Sequence, residues 1–328
     1  MEKTMRASTC VCAVSVVLAA LGGSAALAEG YPTRAIQLIV PFPAGGSTDL
    51  VARAVAEPLR ERLGQAVIVE NRAGGGGIVG TEAAARAQAD GYTIVMGGSG
   101  NVALAALNAS GRGMDWINDF KPIAIIGDIP NVLVVAADKK LASVADVISR
   151  AKAAPGELNY GHAGNGTASH LVGELFARQA GIKIVPVPYR GNQPAVTDLL
   201  GGHIPMMFSN LAGTLPFMEG DKLKILATTG KVRSPLAPNL STFAEAGIAG
   251  LENGVWMGFM APKGTPDAVI ATLAKHIEEV MKQPSTIERL KKLGTETVYA
   301  GPAEFSARMT SEYAVWKQII ADANIKLN

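Results

Sequence analysis

The sequence predicts an α/β protein folded as two lobes with a ligand cleft between them, and three observations predict it. From Ala35 onward, short β-branched runs alternate with helix-period stretches, the βαβα order that implies parallel strands with crossover helices. Cleavage of a leader at residue 28 of 328 leaves 300 residues, more than one core usually serves. Two segments also share one design: "IVPFPAGGSTDLVARAV" and "NYGHAGNGTASHLVGEL" each run strand, short glycine loop, Ser/Thr/Asp/Asn cluster, helix.

The N-terminus, "MEKTMRASTCVCAVSVVLAALGGSAALAEG", places Lys3 and Arg6 before an apolar run from about Val11 to Leu21 and then small residues. This is the pattern of a secretory signal peptide, residues 1–28, with Ala26-Leu27-Ala28 as its cleavage site. The apolar run is too short to span a bilayer, for which about 20 residues are needed. A soluble, exported protein is expected. Cys10 and Cys12 fall in the removed segment, so neither a disulfide framework nor a Cys-ligated metal is predicted. Removal takes two of 30 basic and one of 28 acidic residues, leaving 28 against 27. That balance gives no electrostatic case for nucleic acid.

Along the chain, "AIQLIV" (35–40) reads as a strand before a helix near Thr48 to Leu63, where Leu50, Val51, Ala54, Val55 and Leu59 make one face. "AVIVE" precedes a glycine run and an alanine-rich helix, and "YTIVM" follows. The order resumes with "VLVVAA" (132–137), "LNYG" (158–161), a helix over about Thr167 to Ala180, "KIVPVPY" (183–189), a helix over Pro194 to Leu200, "IPMMFS" (204–209) and "LKILAT" (223–228). After "VWMGFMAP" (255–262), Val269, Leu273, Ile277 and Val280 mark a long amphipathic helix, and two more helical stretches finish the chain near Asn328.

Ala44 to Asp49, "AGGSTD", opens the first helix. Gly45 and Gly46 allow a tight turn, Ser47 or Thr48 is placed to cap, and Asp49 offsets the dipole. A helix start offers unpaired N–H groups and partial positive charge, so it attracts an anion. Gly164 to His170 repeats the arrangement with Asn165, Gly166, Thr167 and Ser169 as neutral groups, and His170 suits either packing or ligand contact. Two such starts, one per lobe, can hold one ligand with two acidic ends. In "VPYRGNQPAVTDLL", Tyr189 and Arg190 lie between strand and helix. Arg190 fits a bidentate carboxylate pair and a solvated surface position equally well, and Asp198 is expected to orient loop groups.

Gly75, Gly77 and Gly80 satisfy G-x-G-x-x-G, yet "YTIVM" ends in Met96, Gly97, Gly98 and Ser99 rather than an acidic ribose anchor. Gly74 to Gly77 read instead as a closely packed loop near the cleft. The chain lacks H-E-x-x-H, G-x-S-x-G and P-loop patterns, and its four histidines lack metal spacing. No catalytic residue, cofactor or metal is predicted.

These stretches resemble the Bug-type periplasmic solute receptors, the extracytoplasmic binding proteins of the tripartite tricarboxylate transporter family. The matching segments are "YPTRAIQLIVPFPAGGSTD", "GQAVIVENRAGGGGIVGTEAAARAQADGYTIVMG", "LNYGHAGNGTASHL", "VPYRGNQPAVTDLLGGHI", "PNLSTFAEAG" and "WMGFMAPKGTP". The resemblance implies a type II periplasmic-binding-protein fold whose chain crosses between lobes twice, near "VLVVAA" and "VWMGFMAP". Lobe 1 would comprise 29–130 plus 253–328, and lobe 2 131–252. It also implies that the loop from Phe42 through Ala44 to Asp49 receives one carboxylate, partly through ordered water, and that Gly164 to His170 receives the other. Tyr189, Arg190 and Gly191 would form a third wall. The run "GGSGNVALAALN" departs from the family pattern and leaves the contacts of Ser99 and Asn101 open, and "PNLSTFAEAG" lacks two usual prolines.

The expected function is capture of a small organic acid, a di- or tricarboxylate, an aromatic carboxylate or an acidic amino acid, and delivery to membrane permease subunits. Signalling to a membrane sensor kinase is the alternative output, and an exported hydrolase or isomerase the alternative class. Nothing in the sequence demands more than a monomer.

Overall fold

The computed structural model describes residues 30–107, 115–137, 141–217, 222–230, 232–251 and 255–323. The expected leader, its cleavage site, both cysteines and the expected boundary at residue 253 lie outside the described residues.

Among the described residues, ten strands form two five-stranded sheets. The first holds β1 (Ile36–Val40), β2 (Val67–Asn71), β3 (Thr93–Gly98), β4 (Phe120–Ile129) and β10 (Val255–Pro262), in the order β2-β1-β3-β10-β4. The second holds β5 (Asn131–Ala136), β6 (Asn159–His162), β7 (Val185–Pro188), β8 (Met206–Asn210) and β9 (Leu223–Thr228), in the order β7-β6-β8-β5-β9. The two sheets repeat one plan. Three parallel strands lie side by side, and a strand carried in from the other half of the chain, β10 or β5, pairs antiparallel beside them. The all-parallel expectation is therefore corrected at β10 and β5, which enter their sheets directly from a crossing of the chain. The first crossing is short: β4 ends at Ile129 and β5 starts at Asn131.

Burial follows position in the sheet. All eight residues of β10 and all six of β5 are buried, as apolar runs flanked on both sides should be. Edge strand β7, "VPVP", is partly exposed and pairs only with β6, a position that tolerates Pro186 and Pro188 because no second neighbour needs their N–H.

The helices are α1 (Ser47–Leu63), α2 (Ile78–Ala85), α3 (Ser99–Leu107), α4 (Val144–Ala153), α5 (Ala168–Gln179), α6 (Asn192–Leu200), α7 (Leu211–Thr214), α8 (Asp267–Met281), α9 (Pro284–Lys292) and α10 (Pro302–Ala323). Strand β4 and helices α3 and α4 are not anticipated from the sequence. The local signal for α4 was available: Ser143 accepts the Asp146 N–H at 3.1 Å, an N-cap preceding the periodic Val144, Val147 and Ala151. β4 carries only a short apolar run, residues 123–126, between Lys121 and Asp128, which periodicity alone does not classify.

Helix α5 lies close on the second sheet because Gly173 faces the ring of Tyr160, whose hydroxyl donates to Glu174 at 2.7 Å. A Cβ at Gly173 would stand 2.4 Å from that ring. Gly173→Ala is therefore expected to destabilise by about 1–3 kcal/mol through overpacking, despite alanine's better helix propensity. The urea midpoint measures this, and an unchanged or higher midpoint would refute the tight contact.

Candidate ligand-binding cleft

Strands β1, β3, β6 and the β7–α6 connection all deliver helix starts to one place, at the C-terminal ends of the parallel strands where α/β sheets bind ligands. The starts of α1 and α3, from the first sheet, face those of α5 and α6, from the second, around an inner cavity of about 100 Å³. Gly46, Ser47 and Thr48 line it from α1, Gly98, Gly100 and Asn101 from α3. Thr167, Ala168 and Ser169 line it from α5, and Gly191, Asn192 and Gln193 from α6. Phe42, Met96 and Met257 supply apolar wall. Among the described residues, no charged side chain lines this cavity.

No side chain caps α1, α5 or α6. Capping by Ser47 or Thr48 is thus corrected: Gly46 is the N-cap of α1, in extended backbone, and Ser47 is the first helical residue. Its hydroxyl works across the cleft instead, accepting from Asn210 Nδ2 at 2.8 Å. Uncapped helix starts leave N–H groups and partial positive charge directed at the cavity.

Asp49 does not line the cavity. Its carboxylate is buried, accepting from Gly45 N–H, Arg53 Nε and Asn71 Nδ2, each at 2.9 Å. Burial raises its pKa, but the hydrogen bonds from Arg53, Gly45 and Asn71 outweigh that and hold it below the usual carboxylate value. Asn71 also donates to the Phe42 carbonyl at 3.1 Å. Asp49 and Asn71 together therefore pin the loop carrying Phe42, Ala44, Gly45 and Gly46. A negative group this well satisfied locally has no reason to turn toward an acid.

In the second loop, Thr167 lines the cavity, while its hydroxyl donates to the Gly164 carbonyl at 2.7 Å. His170 does not line it. Its Nδ1 accepts the Gly166 N–H and the Nδ1 of His162 accepts the Gly164 N–H, both at 3.2 Å, and the two buried rings stack at 4.5 Å. The pair fixes the loop backbone from behind. Burial, with the neighbouring His170, pushes His162 down to about 3, and burial lowers His170 against the opposing charge of Glu174. Both rings are neutral acceptors at neutral pH.

Gly164, Asn165, Tyr189 and Arg190 line a separate outer cavity of about 400 Å³ together with Gly74, Gly75, Gly76 and Gly77. Arg190 is exposed there, away from the inner cavity. Tyr189 donates to Asp198 at 2.7 Å, so Asp198 holds the loop, and burial with that carboxylate raises the phenol to about 12. Gly76 (φ +67°) lines both cavities and packs on the opposite loop, where a Cβ would stand 2.5 Å from the Asn165 carbonyl oxygen. Gly80, third glycine of the fingerprint, lets α2 approach the backbone of Arg72 and Pro41. Ser99 turns into a third cavity of about 20 Å³, whereas Asn101 lines the inner one and accepts the Gly98 N–H at 2.8 Å. Asn131, Asn192 and Asn210 escaped the sequence reading. Each sits beside a strand end or helix start, but nothing local distinguishes them from turn residues.

Residues 51–325 match the family described as the tripartite tricarboxylate transporter family receptor. BugT of Bordetella pertussis (strain Tohama I) is 36% identical over 316 residues, 96% of this chain and 97% of that protein. The chain belongs to the tripartite tricarboxylate transporter receptor family. Two solved structures extend the likeness to three dimensions. Rpa4515 of R. palustris with adipate superposes with a TM-score of 0.85 at 35% identity, covering 90% of this chain and 99% of that one. MatC (Rpa3494) of Rhodopseudomonas palustris with bound malate gives 0.83 at 28% identity, covering 88% and 100%. As a receptor of this family the chain is a periplasmic solute-binding protein with the two-lobed α/β fold, and it is not an enzyme.

Proposed function

We propose that this receptor closes around a small organic acid held between its two sheets and delivers it to the membrane permease of a tripartite tricarboxylate transporter. One observation carries the reading: uncapped starts of α1, α5 and α6 converge on a cavity whose lining, among the described residues, has no charged side chain. Helix starts of this kind supply partial positive charge without a fixed counter-ion, which suits reversible capture of a carboxylate. The carboxylate acids in the two structural relatives support the same class. We divide the chain into lobe 1, 29–130 plus 253–328, and lobe 2, 131–252, with the crossing at Pro130 as one hinge strand. Closure favours the delivery-competent form because the ligand then touches both lobes at once.

The test is a thermal-shift panel of carboxylates on the purified protein, with mass spectrometry of small molecules released on denaturation. A cognate acid at about 100 times its Kd should add roughly 2.7 kcal/mol of stability. An intact acid recovered from the protein supports the reading, and a recovered non-acidic ligand refutes it.

A further inference from the structure

Helix α5 lies on the second sheet, where its Val172, Leu175 and Phe176 join the apolar core around Tyr160 and Phe208. Leu171 on the same helix does not join that core. It is 0% exposed, buried in a separate cluster with Ala103 and Ala106 of α3 and Trp316 of α10. Those two helices belong to the first sheet: α3 packs on β3 and β10, and α10 packs on α3 and β4. The burial of Leu171 therefore depends on the two sheets standing together. The close approach has a basis in the sequence. Gly100, Ala103 and Ala106 recur at every third residue, so one side of α3 presents little side chain. A Cβ at Gly100 would stand 2.7 Å from the backbone nitrogen of Ala168, at the start of α5.

Leu171, Ala103, Ala106 and Trp316 all lie outside the lining of the inner cavity. We propose that this cluster is an apolar seal that draws the two sheets together without touching the ligand, and that Leu171 is a positioning residue that sets how long the acid is retained. When the sheets part, Leu171 passes from full burial into water, whereas Val172, Leu175 and Phe176 stay in the core of their own sheet. Hydrophobic burial thus favours the closed form before any acid arrives. An acid held between the helix starts escapes only when the sheets part. Weakening the seal therefore speeds release and leaves entry little changed. The seal rests on the reading of a receptor that closes on its ligand, and adds to it a contact that acts from outside the cavity.

The experiment compares the purified protein with its Leu171→Gln variant and with Leu171→Met, which keeps an apolar side chain of similar volume. Stopped-flow measurements with L-malate and adipate give association and release rates, and small-angle X-ray scattering of the acid-free proteins gives compactness. Loss of one buried leucine should make Leu171→Gln release acid about 10- to 100-fold faster, with association within about threefold of wild type. The same variant should have a larger radius of gyration without acid, and Leu171→Met should match wild type in both respects. A lowered urea midpoint in Leu171→Gln with unchanged release and radius would make the cluster ordinary core, overturning the seal and leaving the organic-acid reading standing. If neither acid binds wild type, the radii decide: equal radii overturn the seal, and a larger one in Leu171→Gln upholds it while counting against the organic-acid reading.

Discussion

Gly46→Asp and Thr167→Asp are each expected to weaken binding of the cognate acid by at least about 30-fold, with the capping gain at Thr167 offset by loss of its hydroxyl's donation to the Gly164 carbonyl. Both positions are N-caps, of α1 and α5 respectively, and neither helix has a side-chain cap. Aspartate is among the best N-cap residues, so the new carboxylate should bond the free N–H groups of the first turn and add up to about 1 kcal/mol to stability. It would then stand where the ligand carboxylate docks. Two like charges about 4 Å apart repel by about 4 kcal/mol at an effective dielectric of 20, and half of that, allowing for screening, corresponds to roughly 30-fold. At Gly46 the added Cβ meets the Pro43 carbonyl at 3.3 Å, a tight contact that takes back part of the capping gain. Calorimetric titration measures affinity and urea denaturation measures stability. If both variants bind the acid as wild type does, the converging helix starts do not hold its charge.

The second large effect concerns pH. Stability should be highest above about pH 6.5 and fall as the solution is acidified, because His162 and His170 are held neutral in the fold and protonate freely once unfolded. The folded pKa values lie below the unfolded value of 6.5, so the unfolded chain binds more protons throughout the window below it, and unfolding is favoured there. For His162 the window runs from 6.5 down to about 3. At about 1.4 kcal/mol per unit of pKa difference, the total is on the order of 5 kcal/mol. His276, half-buried, contributes with the same sign, through burial and then Arg62 and Lys275. Asp49 adds its own loss only near and below pH 4, whereas burial raises Glu312 above the usual carboxylate value and opposes the trend at the acidic end of the range, so the comparison with a His162 variant between pH 4.5 and 7.5 is what isolates the histidine. The urea midpoint should rise across that range in wild type and rise less steeply in His162→Gln. A flat wild-type profile would count decisively against neutral acceptor rings. Protonation of His170 in the fold, which burial defers to below the ordinary imidazole value, would convert its Nδ1 from acceptor to donor opposite the Gly166 N–H, so affinity for the acid should decline only once that lowered pKa is passed.

The fold was legible in the sequence wherever its determinants are local. Alternating β-branched and helix-period stretches placed the parallel strands and most helices, and the glycine loops ending in Ser, Thr and Asp marked the starts of α1 and α5. What escaped was β4, whose short apolar run carries no period, helices α3 and α4, and the antiparallel insertion of β10 and β5, which depends on strands far apart in the chain. Within the cleft, the loops were legible but the roles of individual side chains were not. Asp49 and His170 both lie on helices at the rim, yet each is consumed by backbone N–H groups of its own loop, since a short polar side chain beside a tight turn finds those donors before any guest.

From sequence alone follow the exported two-lobed α/β plan, the positions of the glycine turns, and the positive ends of particular helices, because turn chemistry and side-chain periodicity act over a few residues. Tertiary structure alone decided which helix ends face one another, that Ser47 meets Asn210 across a gap of 163 residues in the chain, and that Asn131 and Asn192 enter the wall of the cavity. The reason is physical: a helix start is made locally, whereas a binding cavity exists only once two separately folded sheets bring such starts within reach of one small molecule.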